Sequence, residues 1–142
     1  MSAVHSYNPK KVTCALGRHI VSGFADDSMI GVEYQGDGVN VVQGADGEIV
    51  RSIDPGTLYT LKLTLQQTSA TNEFLESQYS RDKAYGDGTF SVNVRDLWGG
   101  DAFSAPVAWV TKPATLSRGK TQENREWEIA CADGEVTKEN VA

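Results

Sequence analysis

The sequence predicts a mainly β domain, an antiparallel barrel or sandwich with one flanking α-helix and one long protruding hairpin. Three observations predict it. The 14 glycines fall mostly in turn signals such as Gly36-Asp37-Gly38, Asp46-Gly47 and Gly86-Asp87-Gly88. The segments between those turns alternate apolar and polar residues with period two. Only one stretch, ATNEFLESQYS, carries helical spacing behind candidate N-cap residues.

The elements follow in order. Lys11–Leu16 is an alternating run ended by Gly17-Arg18, with His19 in the GRHIV turn behind it. Met29–Tyr34 leads to the Gly36-Asp37-Gly38 turn. Val39–Gln43 and Ile49–Ile53 flank the tip QGADGE, where Asp-Gly supplies the positive φ that a tight hairpin requires. From Gln35 to Gly56 this ribbon is long for a monomeric domain, and an unpaired ribbon of that length is marginal unless a neighbouring copy completes it. Leu58–Gln66 alternates strictly: Leu61, Leu63 and Leu65 point one way, and Thr60, Lys62, Thr64 and Gln66 the other.

Thr68 and Ser69 offer capping oxygens ahead of a helix spanning about Ala70 to Ser80 and ending before Tyr85. Phe74, Leu75 and Gln78/Tyr79 form its single stripe, which has to plug an open end of the β structure. Thr89–Asp96 sets Phe90, Val92 and Val94 against Ser91, Asn93 and Arg95. Ala102–Thr111 contains Pro106, which makes it an edge or bulged strand, and Pro113 closes it. Arg125–Cys131 sets Trp127, Ile129 and Cys131 against Glu126, Glu128 and Ala130. The length of 142 residues suits one domain. It is flanked by an N-terminal arm (about 1–9) and a polar, patternless C-terminal tail (about 134–142).

Composition and motifs bound the function. Thirteen basic residues against nineteen acidic ones give a net charge of −6, which disfavours a phosphate-gripping surface. No window is apolar enough to span a membrane, and the first residues lack the apolar stretch of a secretory signal, so a soluble protein made in the cytoplasm is expected. Cys14 and Cys131 each sit in an alternating apolar run and read as small buried thiols. No metal site and no cofactor are expected, because His5 and His19 lack a third ligand at metal spacing and the Asp-Gly turns do not continue as calcium loops. No catalytic residue is expected either. There is no G-x-S-x-G, and adjacent Asp26-Asp27 diverge rather than converge as acid and base. Trp98 and Trp109 leave open an alternative, a small β-sandwich module that binds carbohydrate or acts as an adhesin.

A family resemblance points elsewhere. The segments FADDSMIGVEYQGDGVNVVQGADGEIVRS, LTLQQTSATNEFL, GDGTFSVNVRDLWG and APVAWVTKPATLSRGKTQENREWEIACAD occur in an order that resembles tail tube proteins of contractile-tailed (myovirus-type) phages, over about Tyr7 to Asp133. The resemblance implies a β-barrel-like subunit, related in fold to the tube protein of type VI secretion. It further implies hexameric rings stacked into a hollow tube through which double-stranded DNA passes without specific binding. The implied partners are other copies of the chain, a tail sheath outside, a baseplate or tube initiator and a tape-measure protein.

On that basis the hairpin residues Gln43, Gly44, Ala45, Asp46, Gly47, Glu48 and Arg51 are expected to be an assembly element. The polar faces carrying Glu33, Thr60, Lys62, Thr64, Arg95, Glu126 and Glu128 are expected to face the lumen, with Gln66, Ser91 and Asn93 equally suited to a wet wall. Six copies at −6 carry about −36, and an acidic channel repels phosphate.

Overall fold

The computed structural model describes residues 12–24, 30–36, 38–96, 101–115 and 124–138. His5, Asp26, Asp27, Trp98 and the expected N-terminal arm lie outside the described residues. The elements are β1 (Val12–Leu16), β2 (His19–Ile20), β3 (Ile30–Tyr34), β4 (Val39–Gln43), β5 (Ile49–Ile53), β6 (Tyr59–Gln66), α1 (Thr71–Tyr85), β7 (Phe90–Asp96), β8 (Asp101–Lys112), β9 (Asn124–Ala132) and β10 (Glu135–Lys138).

Eight strands form one antiparallel sheet in the order β2-β1-β7-β8-β9-β6-β3, with β10 also on β8. β8 is the hinge of this sheet. Its first half pairs with β10 (Ala102↔Thr137, Ser104↔Glu135) and its second half with β9 (Ala108↔Cys131, Val110↔Ile129). The ladder to β7 steps from Ala105↔Val92 to Ala108↔Phe90, so β8 carries an extra residue at Pro106, where a missing N–H costs nothing. Proline here marks a bulge in a central strand, and the edge-strand option expected for it does not hold.

The two wings curl around a single core. Cys14, Leu16, Val92 and Phe103 come from one wing and Leu61, Leu63, Trp127 and Ile129 from the other, and all are buried together. The inward and outward sets expected for β6, β7 and β9 fall on the predicted faces, except that Ala130 is buried on the outward set. Residues after β2 close the seam. Phe24 bridges to Leu65, and the Gln66 N–H donates to the Gly23 carbonyl at 2.8 Å.

α1 covers one end and runs one turn further than expected, to Tyr85, where Gly86 adopts φ +73° and its N–H caps Asp82. The N-cap position is Ala70, which has no capping side chain, so the expected Thr68 or Ser69 cap is corrected: Ser69 Oγ, one position earlier, accepts from the Thr71 N–H at 3.2 Å. Leu75 and the polar Thr71 and Asn72 are buried, while Phe74 lies edge-on to Phe90 and stacks on His19. Asn72 fastens the helix to the sheet. Its Oδ1 accepts from Trp127 Nε1 at 2.9 Å, and its Nδ2 donates to the carbonyls of Gln66 and Gln67.

The expected patternless tail is corrected for 135–138, which form β10 on β8. Alternation could not reveal it, because Glu135, Val136 and Thr137 are all exposed and only the backbone pairs.

Candidate functional site

β4 and β5 form a two-stranded sheet separate from the barrel, with pairs Val39↔Ile53, Val41↔Arg51, Val42↔Val50 and Gln43↔Ile49. Side chains alternate across a ribbon, so Val39, Val41, Ile49 and Ile53 share one face with Gln43 and Arg51, while Val42 and Val50 share the other with Asn40 and Ser52. Every residue of both strands is exposed. Val41 and Ile49 are each 64% exposed and Ile53 is 68% exposed. Six aliphatic side chains are thus held in water, on a ribbon with no core of its own.

The tip explains its sequence. Gly44 N–H donates to the Glu48 carbonyl at 2.8 Å, Gly47 N–H to the Gly44 carbonyl at 3.0 Å, and Glu48 N–H to Asp46 Oδ1 at 3.1 Å. Ala45, Asp46 and Gly47 are thus a three-residue loop, and Gly47 at φ +86° is its left-handed residue. Gly44 has no positive φ. A Cβ there would meet Asp46 Oδ1 at 3.0 Å, so its constraint is space beside the turn rather than backbone conformation.

At its base the ribbon is interrupted. The β3–β6 pairing runs out at the Gln35 N–H bond to the Leu58 carbonyl and resumes at the Asp54 N–H bond to the Gly38 carbonyl. Between these points Gly36 (φ +113°) and Gly38 (φ +74°) turn one leg, and Asp54 organises the other by accepting from the Gly56 N–H at 2.9 Å. Tyr34 Oη donates to the Gly56 carbonyl at 2.9 Å. Burial, and then the neighbouring Asp54 carboxylate, push the Tyr34 phenol up.

The second set of candidate residues is split by the fold. Rows across β3, β6, β9 and β8 place Glu33 beside Thr60, Lys62 beside Glu128, and Glu126 beside Thr64, all on the outward face of one wing. Lys112 lies opposite Glu128 on β8, which adds a cation that the sequence reading left out. Lys62 Nζ lies 3.8 Å from Glu33 Oε2, with both side chains more than half exposed. This pair contributes little to stability, but it does offset one cation on the face. Lys62, Thr64, Glu126 and Glu128 line a groove of about 850 Å³ that Lys112 and Thr115 border. Arg95 is not in this group. It sits on β7 between Thr13 and Ala102, in the other wing.

No group of three or more His, Cys, Asp or Glu side chains able to hold a metal occurs among the described residues. His19 is a packing residue, bonded through Nε2 to Thr71 Oγ1 at 2.8 Å. Cys14 and Cys131 are buried free thiols, each pushed up to about 12, chiefly by burial. Trp127 is core and Trp109 is half-buried, so among the described residues no pair of exposed indoles forms a sugar platform. No described helix is long and apolar enough to cross a membrane.

The family model described as the bacteriophage PhiTE tail tube protein matches residues 12–138. The chain belongs to this phage tail tube family. "Structural protein ORF10" of Pseudomonas phage KPP10 is 24% identical over 133 residues, covering 88% of this chain and 77% of that protein. Among solved structures, the tube-terminating cap of the anti-feeding prophage aligns over 97% of this chain and 95% of the cap subunit, with a TM-score of 0.57 and 8% identity. That likeness is one of fold alone. Membership makes the chain a structural component of the phage tail, in a family that is not an enzyme class.

Proposed function

We propose that copies of this chain close into hexameric rings that stack into the inner tube of a contractile phage tail, the conduit for double-stranded DNA during ejection. The observation that carries this reading is the β4–β5 ribbon. It displays Val39, Val41, Ile49 and Ile53 on one face and stands apart from the barrel sheet, with every residue of both strands exposed. Membership of the tail tube family supplies the context, and a repeating assembly supplies the cover that this face lacks.

In this reading residues 43–48 and Arg51 contact a neighbouring subunit. The outward face of β3, β6, β9 and β8 lines the channel, with Glu33, Glu126 and Glu128 outnumbering Lys62 and Lys112 so that phosphate slides without being gripped. Arg95, in the other wing, belongs to that lining only if the channel reaches β7 as well. The sheath outside, a baseplate or initiator and a tape-measure protein are the remaining partners, and synthesis takes place in the host cytoplasm before incorporation into the virion.

Electron microscopy of the purified protein, alone and with its initiator, tests the proposal. Hollow tubes of uniform diameter built of sixfold rings are expected. Solid filaments, rings of another symmetry, or a protein that stays monomeric even with the initiator would overturn it.

A further inference from the structure

The angle at which the β4–β5 ribbon leaves the barrel is not set by a continuous sheet, because the ladder is broken between the Gln35–Leu58 bond and the Asp54–Gly38 bond. Pro55 has no N–H to offer, so the return leg, residues 54–57, is held by whatever lies on either side of it. On one side are Asp54 and Tyr34, which both bond Gly56. On the other side is the corner where β9 passes into β10. Gly134 N–H donates to the Thr57 carbonyl at 3.0 Å, and Thr57 Oγ1 donates to Asp133 Oδ1 at 3.1 Å.

The corner is shaped for this seat. Asp133 has φ +55° and is the single non-glycine residue with positive φ among the described residues. That conformation is sparsely populated and persists only where surrounding contacts impose it. Gly134 lies against the aromatic pair beneath, where a Cβ would come within 2.5 Å of Tyr59 Cδ1 and 3.0 Å of Phe103 Cε1. Tyr59 in turn lies edge-on to Phe103 and to Tyr34, the residue that bonds Gly56. A contiguous set of contacts therefore joins β10 to the base of the ribbon.

We propose that Asp133 and Gly134 are positioning residues for the assembly arm, and that the docking of β10 on β8 is what closes this latch on Thr57. The inference rests on the reading of the ribbon as the contact between copies. β10 is suited to the role, since its exposed Glu135, Val136 and Thr137 leave it held by backbone pairing to β8 with little burial. By reciprocity, a neighbour that grips β10 also stiffens the arm, and one that captures the arm also favours docked β10.

The test uses the full chain at concentrations below assembly, with spin labels on cysteines introduced at Ala45, in the tip, and Ser77, on the exposed face of α1. The buried native thiols stay unlabelled because thiolate is the reacting species. The parent protein should give one narrow distance distribution. Thr57→Val and Asp133→Ala should each widen it about twofold and speed amide exchange at Gly56 and Gly134 about fivefold, while the circular dichroism melting midpoint barely moves. Thr57→Ser and Asp133→Asn, which keep the donor and the acceptor, should restore the narrow distribution. Unchanged widths in both disruptive variants would overturn the proposal. So would widening that the conservative variants fail to reverse. Because the measurement is made on single subunits, it decides the latch whether or not tubes of the proposed kind exist.

Discussion

Replacing Val41 and Ile49 together with threonine should abolish tube assembly at working concentrations and leave the subunit as stable as before. Both side chains lie on the same face of the ribbon and are 64% exposed in the isolated subunit. Fully burying a valine or isoleucine is worth about 1.5–3 kcal/mol, so covering the exposed part of each at a subunit contact contributes about 1–2 kcal/mol. Threonine keeps the β-branched shape but exchanges a methyl or ethyl group for a hydroxyl that finds no partner in an apolar contact. The double variant should therefore lose about 2–4 kcal/mol per contact, or about 30- to 1,000-fold in its association constant.

The subunit itself should not notice, because substitutions on an exposed face usually change stability by no more than about 0.5 kcal/mol. Two measurements separate the outcomes: the critical concentration for assembly, by sedimentation with electron microscopy of the pellet, and thermal unfolding of the soluble fraction. A critical concentration within about twofold of the parent's would refute the claim that this face is buried between copies. A large drop in melting temperature would show instead that the ribbon supports the subunit's own fold.

Asn72→Ala should act in the opposite way. It strands the buried Trp127 N–H and takes the Asn72 donor from the Gln67 carbonyl, costing about 2–4 kcal/mol, which lowers the melting temperature of a chain this long by about 6–12 °C in calorimetry. The two thiols make stability fall in alkali. Their folded values near 12 lie above the ordinary 9.0, so the native state holds protons that the unfolded chain releases, and stability present below pH 9 is lost toward pH 12. The slope should approach about 1.4 kcal/mol per pH unit for each thiol, and a Cys14→Ala/Cys131→Ala variant should show a flatter denaturant-midpoint profile over that range. Glu126→Lys with Glu128→Lys should leave tubes intact but slow genome ejection about tenfold or more at low salt, with the effect fading as salt rises. Normal ejection kinetics at low salt would remove these residues from the channel wall.

Much of the subunit is legible in the sequence because its strands are amphipathic. Leu61, Leu63 and Leu65 alternate with Thr60, Lys62 and Thr64 for one physical reason: one face packs into the core and the other meets water. The same alternation announces β1, β7 and β9, and the Asp-Gly turns announce the hairpin, since only a residue tolerant of positive φ closes it. The ribbon is legible as a protruding hairpin for the converse reason, being long for a part of the chain that the domain itself does not complete.

Alternation says which residues share a face of a strand, but not which strands become neighbours. Only the tertiary structure separates Arg95 from Lys62, adds Lys112 to the row of Glu128, and sets Pro106 in a bulge of the strand around which the sheet curls. The same limit hid β10, whose Glu135, Val136 and Thr137 are all exposed and whose pairing is carried by the backbone. It also hid Asn72, a polar residue in a polar stretch until Trp127, 55 positions away, arrives with an N–H that has to be satisfied. Local pattern is written in the chain because burial acts on each residue where it stands. Partnership depends on the path of the backbone through space, which no single segment contains.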